Sequence, residues 1–528
     1  LLYAKYIFIV LKTTLLKILF SSNIQIIRKV VNCPAKPITS KSACMNTFNH
    51  YLKYLCLTAL LLISQAALAQ DLIDFEFKGS QTLAQMQAQY GFLMQNGIEY
   101  YKIRYTTPDI NGVTDTASGL IVLPVREAEF QYPLLCYMHG TVDSKTDVPS
   151  NLAGGWELAA AWGGLGYVAA APDFLGLGDS RGFHPYVHAD TEASAGIDML
   201  FAARAFCESE GPALNDQLFV TGYSQGGHAA AAVHRELEAN YTDEFRVNAS
   251  APMSGPYSIS GAMRSALLSD EPYFYQGYLA YTALSYNEAY GLFDSVEAYF
   301  KPPYAEPIEQ FYQGAITLST LNSTLIDLLT TNEGAPIPRY MLQDSLLTAL
   351  EDENSDHPIL QALEANDVYD WAPQAPTRLY YCTADDQVAF TNSILADSVM
   401  NANGAPDVLA VDAGTTLNHT ECIQPATVAG AIFFLGYREL ISNTSAFTPD
   451  WNLRVFPNPV SNILYLRELP SGATLQLMNT NGQILFEQIA AGPTTELKMS
   501  PYPAGLYLLK VNTPAGSSTV KVLRTTNR

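Results

Sequence analysis

Across residues 119–411 the hydrophobic positions fall into short unbroken runs, separated by longer stretches with helical spacing. The runs are Gly119–Val125, Leu134–Met138, Tyr167–Ala171, Gln217–Gly222, Val247–Ala251, Arg378–Cys382 and Val408–Val411. Several are apolar throughout, as in parallel strands covered on both faces, where neither side of the pleat meets water. Ala193–Glu208 and Gly226–Asn240, between the runs, read as helices. This alternation predicts an α/β fold, a mostly parallel sheet with helices on both faces, over residues 70–445.

Residues 258–373 interrupt the alternation. They are rich in Tyr, Leu, Ala and acidic residues, have helical spacing and are broken by prolines. So long a stretch without strands is not a plain loop, and it predicts an inserted helical cap. Beyond Thr448 the period changes again. After a linker at 446–453, alternating runs at Ile463–Leu466, Thr474–Met478, Ile484–Glu487, Thr495–Met499, Gly505–Val511 and Ser518–Leu523 predict a small β-sandwich over 454–528. Turns at Asn481-Gly482 and Pro503-Ala504-Gly505 separate some of them. The F-P-N-P start at 456–459, P-A-G-L-Y-L-L-K-V at 503–511 and the basic last strand with Lys521 and Arg524 resemble the C-terminal sorting domain of the Bacteroidetes type IX secretion system. That resemblance implies passage across the outer membrane and a tail that engages the secretion machinery.

The head of the chain reads differently. Met45 is the earliest plausible start, so residues 1–44 are expected to be upstream translation rather than native protein. A membrane helix at Leu1–Phe20 would carry Lys5, Lys12 and Lys17, which are costly in lipid. From Met45, Lys53 supplies a positive flank and Tyr54–Ile63 an apolar segment, with Ala67-Leu68-Ala69 as a small-residue cleavage site. Residues 45–69 thus read as a signal peptide, leaving no transmembrane span in the mature chain.

The formal charge of −22 becomes −30 once the eight Lys/Arg of residues 1–69, a stretch with no acidic residue, are removed. A surface this acidic repels phosphate backbones and anionic lipid, which argues against a nucleic-acid partner. Beyond the leader stand Cys136, Cys207, Cys382 and Cys422, with no C-x-x-C pair to suggest a metal site. Cys382 and Cys422 flank two loops of chemical interest. An exported protein permits their pairing, while two buried free thiols are the alternative.

The sharpest chemical signal is Gly222-Tyr223-Ser224-Gln225-Gly226. The run Gln217–Gly222 precedes it and an Ala-rich helix follows, the strand–turn–helix context of a nucleophile elbow. The serine of such an elbow has strained backbone, and glycines two before and two after relieve the crowding. A serine hydroxyl needs a base, and in elbow hydrolases the partners follow in the order Ser, acid, His. Four histidines lie beyond Ser224. His228 and His234 sit on the helix leaving the elbow, and His357 in an acidic stretch of the cap; His419 follows the last strand and is the predicted base. The acid should end the preceding strand, where Asp385 and Asp386 compete. The spacing to Val388 favours Asp385, with Asp386 as a solvated turn residue. For the oxyanion hole the candidates are the backbone N–H groups of Gln225 and, after strand 134–138, Thr141. His139 is expected to brace that loop, and the loop Pro172–Ser180 to be a structural turn.

Y-M-H-G-T at 137–141, P-D-F-L-G-L-G at 172–178, H-P-Y at 184–186, G-Y-S-Q-G-G at 222–227 and T-A-D-x-x-V at 383–388 together resemble the secretory lipase/esterase branch of the α/β-hydrolases, over residues 90–440. The resemblance implies an α/β-hydrolase fold and carboxylic-ester hydrolysis through a Ser224 acyl-enzyme, without cofactor or metal. Cys382 stands where Gly is usual, and Asn418-His419-Thr420 where His-Gly is frequent. The Tyr and Leu content of the cap predicts an apolar or aromatic ester substrate. A serine exopeptidase using the same triad, and a catalytically silent surface-binding protein, are the competing expectations.

Overall fold

A computed structural model describes residues 72–126, 130–352, 354–439, 441–442, 453–469, 472–479, 483–513 and 516–525. The expected upstream stretch (1–44), the expected signal peptide (45–69), most of the expected linker and the Asn481-Gly482 pair read as a turn lie outside the described residues.

The first unit is built on a 10-stranded sheet. Its strands are β1 (Leu72–Gln81), β2 (Gly97–Pro108), β3 (Thr114–Val125), β4 (Phe130–Met138), β5 (Val168–Pro172), β6 (Leu214–Tyr223), β7 (Val247–Met253), β8 (Thr377–Tyr381), β9 (Val408–Asp412) and β10 (Ile441–Ser442). The spatial order is β1-β2-β3-β5-β4-β6-β7-β8-β9, with β10 paired to the start of β4. Along this order every pair from β5 to β9 is parallel, whereas β1–β2, β2–β3, β3–β5 and the β10–β4 pair are antiparallel. The runs from Leu134 onward fall on the parallel strands, whereas Gly119–Val125 lies in β3, which is antiparallel to both its neighbours. The antiparallel pair β1 and β2, connected through the helix Leu83–Tyr90, is an addition to the expected strands. Its sequences, LIDFEFKGSQ and GIEYYKIRYTTP, mix charge into the apolar rows because this edge of the sheet is part solvated.

Helices cover both faces. They are α1 (Leu83–Tyr90), α2 (Trp156–Leu165), α3 (Ala189–Ser209) and α4 (Gln225–Asn240), then the short cap helices, then α11 (Thr391–Ala402) and α12 (His419–Leu435). The cap helices are α5 (Arg264–Leu268), α6 (Gln276–Tyr290), α7 (Ala305–Tyr312), α8 (Leu318–Glu333), α9 (Asp344–Glu351) and α10 (Pro358–Ala365), all between β7 and β8. They enclose a core of their own, with Tyr286, Ile308, Leu321, Leu325 and Leu329 fully buried. Much of the Tyr and Leu content of the insertion is thereby spent on packing.

On the other face Phe434 of α12 is buried against Trp162, Tyr167 and Phe219, at ring-centroid distances of 5.6, 6.4 and 4.9 Å. Burial of an aromatic ring of this size stabilises by about 2–3 kcal/mol. This pins the C-terminal part of the helix whose first residue is His419.

One buried charge carries a stability cost. Asp198 on α3 is 2% exposed, and its Oδ2 has no hydrogen-bond partner among the described residues. Burial pushes its carboxyl up from 3.8 to about 7. The folded state therefore holds the proton more tightly than the unfolded chain, and the stability contributed is complete below pH 4 and lost as pH rises through 7. Asp198→Asn should gain about 4 kcal/mol at pH 8.5 and less than half of that, about 1.5 kcal/mol, at pH 5. Thermal unfolding at both pH values checks this; equal effects at the two would refute it.

The second described unit begins at residue 453. β11 (Arg454–Phe456), β12 (Ile463–Arg467) and β15 (Thr494–Lys498) form one antiparallel sheet. β14 (Ile484–Ile489), β13 (Thr474–Met478), β16 (Gly505–Thr513) and β17 (Gly516–Arg524) form the other. Leu464, Leu466, Leu475, Leu477, Leu509 and Val511, alternate residues of their strands, are fully buried between the two.

Candidate active site

The chain turns from β6 into α4 through one residue, Ser224, whose φ of 62° and ψ of −123° lie outside the ordinary basins for an L residue. Its N–H donates to the Met253 carbonyl at 2.9 Å, and its own carbonyl accepts from Gly227 and His228. The flanking glycines are needed because the turn is so tight. A Cβ on Gly222 would stand 2.1 Å from the Gly226 carbonyl oxygen, and one on Gly226 would stand 2.0 Å from that of Met138. The strain leaves the Ser224 side chain partly exposed at the sheet's carboxyl edge, at the N-terminus of a 16-residue helix.

Asp385 and His419 are brought together from the loops after β8 and β9. His419 Nδ1 lies 2.7 Å from Asp385 Oδ2, with both side chains almost fully buried. Asp385 Oδ1 accepts the Gln387 and Val388 N–H groups at 3.0 and 2.8 Å, so the loop itself orients the carboxylate. Asn418 caps α12 and exchanges hydrogen bonds with Glu421, which sets His419 at the first helical position. Tyr223, next to the elbow serine, donates its hydroxyl to the His419 carbonyl at 2.6 Å.

Asp386 does more than the solvated turn residue expected from the sequence. It is exposed, yet Oδ1 accepts the His419 N–H at 3.1 Å and Oδ2 the Tyr275 hydroxyl of the cap at 3.2 Å. An anion at a helix N-terminus is favourable, which explains the second Asp.

Ser224, His419, Thr141 and Gly140 line one open cavity of about 290 Å³. The resting arrangement does not join Ser224 to His419 by a hydrogen bond; such bonds are often long before substrate arrives. Thr141 Oγ1 and the Tyr186 hydroxyl are 2.9 Å apart. His139 nitrogens face the carbonyls of Gly140 at 2.7 Å and Asp173 at 3.2 Å, and its ring lies on Phe174. Burial pushes this imidazole below its usual range, in keeping with a brace. In the loop 172–180 the Asp173 carboxylate is fully buried and holds the Ser118 hydroxyl and Ser150 N–H. Among the described residues no cluster of three or more His, Cys, Asp or Glu could hold a metal ion.

The other downstream histidines are occupied elsewhere. His234 pairs with Glu238 at 2.9 Å, and His357 caps α10 by accepting from Ile359 N–H. His228 belongs to a buried network that the sequence did not reveal. Its Nδ1 lies 2.6 Å from Glu192 Oε2 and its Nε2 2.8 Å from the Asn366 carbonyl. Glu192 Oε1 accepts from Gln225 Nε2 at 3.0 Å, and the same amide reaches His184 Nε2 at 2.8 Å. His184 Nδ1 faces the Leu175 carbonyl at 2.7 Å, and burial pushes its pKa down to about 3. A neutral ring with Nδ1–H donating to Leu175 leaves Nε2 to accept from Gln225. The Gln225 side chain is thus held on two sides, and with it the backbone N–H that follows the serine. Glu192 precedes the helix expected from Ala193 and carries no signal in the sequence; only its burial marks it.

A second cavity, of about 110 Å³, runs from Ser224 and Gln225 under the cap. Its walls are almost wholly apolar, with Ile259, Met263, Leu267, Leu346, Leu350 and Ile359 among them.

Strand order, elbow and capping insertion together define the class of the first unit: it is an α/β-hydrolase fold with a helical cap. Solved structures of this fold agree. LipA, a rice cell wall degrading esterase from Xanthomonas oryzae, is 27% identical at a TM-score of 0.61, over 70% of this chain and 100% of that one. A putative Legionella pneumophila hydrolase is 27% identical at a TM-score of 0.62, over 69% and 98%. Candida antarctica lipase A, 14% identical at a TM-score of 0.50 over 67% and 78%, shares the fold alone. No curated protein sequence gives a match. Residues 454–524 match the family described as a secretion system C-terminal sorting domain, which marks a type IX secreted or cell-surface protein. No helix among the described residues is long and apolar enough to cross a membrane.

Proposed function

We propose that this chain is an exported serine hydrolase that cleaves carboxylic esters through an acyl-enzyme on Ser224. The observation that carries the reading is the buried Asp385–His419 pair opening onto the same cavity as the strained Ser224. His419 takes the serine proton as Oγ attacks the ester carbonyl, then gives it to the leaving alcohol; water repeats the sequence on the acyl-enzyme. Asp385 holds the imidazole with Nδ1 protonated and stabilises the imidazolium. The N–H groups of Gln225 and Thr141 receive the oxyanion, Gln225 with the help of the α4 dipole. Two cavities meeting at Ser224 divide the substrate. The apolar space under the cap suits the acyl chain, and the open space beside His419 suits the alcohol, because that is where the leaving group must be protonated. Residues 45–69 would serve as the leader and 454–528 as the sorting tail, with 70–445 as the catalytic unit.

A fluorophosphonate should label Ser224, and p-nitrophenyl butyrate should turn over faster than the acetate, with palmitate as the test of how far the apolar space extends. Absence of turnover of all three by folded protein would defeat the ester reading, and cleavage of aminoacyl p-nitroanilides would then favour the exopeptidase.

A further inference from the structure

Acid and base are carried at the margin of the sheet. β9, which delivers His419, is a five-residue edge strand with no neighbour beyond it among the described residues, and its residues are mostly half-buried or exposed. Hydrogen bonds tie the loop after β9 to the loop after β8, His419 to Asp385 and His419 N–H to Asp386 among them. Others run from the Ala413 N–H to the Tyr381 carbonyl at 2.7 Å and from the Thr383 hydroxyl to Asp412 at 2.8 Å, the latter in reach of solvent. One covalent link spans the same gap. Cys382 and Cys422 form a disulfide, both fully buried, with their Cα atoms 6.0 Å apart.

Its position relative to the chemistry is symmetrical. Cys382 stands three residues before Asp385, and Cys422 three residues after His419. The arms are stiff. Asp385 N–H donates to the Cys382 carbonyl at 3.2 Å, closing one into a turn, and residues 419–422 are the first turn of α12. The result is a ring, closed by sulfur at one end and by the Asp385–His419 hydrogen bond at the other. The remaining two cysteines of the catalytic unit, Cys136 and Cys207, are free and buried, and burial pushes both thiols up to about 12. They are poor thiolates and do not compete for oxidation.

We infer that the Cys382–Cys422 disulfide is a positioning element of the reaction, and that the chain reaches full activity only after this bond has formed in an oxidising compartment. The inference rests on the proposed triad. In the step itself the two thiols lose two protons and two electrons as the S–S bond forms, and an organic disulfide such as glutathione disulfide is reduced to two thiols. Without the bond, the loops after β8 and β9 shift against one another, and a displacement of about 1 Å at a reacting group costs on the order of 10²-fold in rate. Binding is spared, because neither sulfur lines the cavities at Ser224.

The test is Cys382→Ala/Cys422→Ala in the full chain, with Cys207→Ala as control and circular dichroism to show that each is folded at the assay temperature. The double variant should lose about 10- to 100-fold in kcat with KM within about twofold, and the control neither. Peptide-mapped alkylation of unreduced, denatured protein should modify Cys136 and Cys207 and spare Cys382 and Cys422. If the double variant does not fold, wild type refolded in reductant replaces it, and glutathione disulfide should restore at least about 10-fold in kcat. A lower melting temperature with kcat unchanged would reduce the bond to a stability staple and overturn the inference, as would alkylation of Cys382 and Cys422. Should the oxidised wild type turn over no ester, the ester reading fails separately. The rate of fluorophosphonate labelling at Ser224 then reads the same positioning effect, and an equal rate in both forms overturns it.

Discussion

Ser224→Ala is expected to lower kcat for p-nitrophenyl butyrate by about 10⁴-fold or more, with little change in melting temperature. The two halves of that result have different causes. Alanine keeps the Cβ, so the elbow backbone at φ 62° carries the same strain and the fold is unaffected. On the proposed mechanism, removing Oγ removes the nucleophile, while the amides of Gln225 and Thr141 would still polarise the carbonyl and support a residual attack by water. Purified wild type and variant assayed side by side, with active-site titration to exclude wild-type contamination, give the answer. A variant retaining more than about 1% of wild-type kcat would remove Ser224 from the chemistry.

Asp385→Asn is expected to cost about 10³- to 10⁴-fold in kcat, and Asp386→Asn less than about 10-fold. The difference follows from what surrounds each carboxylate. Oδ1 of Asp385 faces two backbone donors, Gln387 and Val388 N–H, so an amide placed there must turn its oxygen to them and its NH2 group to His419. The imidazole then presents Nδ1 as an acceptor and its proton on Nε2, the tautomer that is unable to take a proton from serine. At position 386 an amide oxygen still accepts from His419 N–H and the side chain still bonds Tyr275, so that substitution loses only a charge at the end of α12. Steady-state kinetics on the two single variants suffices, and a larger loss at 386 would transfer the acid role to it.

The parts of the site that were legible in sequence share a physical property: each is a local constraint. The elbow is five consecutive residues whose glycines at 222 and 226 make room for the backbone of Gly226 and of Met138, so the pattern is readable in one short stretch even though one of those contacts is distant. Strands β4 to β7 were legible because burial on both faces forces nearly unbroken apolar runs, and the sandwich because alternation accompanies one buried face. His419 emerged by elimination from so few histidines, since its own neighbourhood, L-N-H-T, says little.

What remained illegible is made by residues distant along the chain. Glu192 carries no signal in the sequence; the sheet order sets α3 beside α4 and buries it between Gln225 and His228. Asp386 looked solvated because nothing in T-A-D-D-Q-V reveals that the N-terminus of α12 and Tyr275 of the cap converge on it. The pair β1–β2 escaped notice because a part-solvated edge mixes charge into its apolar rows. Cys382 and Cys422, 40 residues apart, could be paired or free on sequence grounds. Sequence by itself determined the elbow around Ser224, the candidates for its partners and the succession of apolar and alternating runs, because these are written in local spacing and in what each segment must bury. Only the tertiary structure decided which distant groups meet, since a buried hydrogen bond or a disulfide depends on how strands are ordered in space and not on the residues beside it.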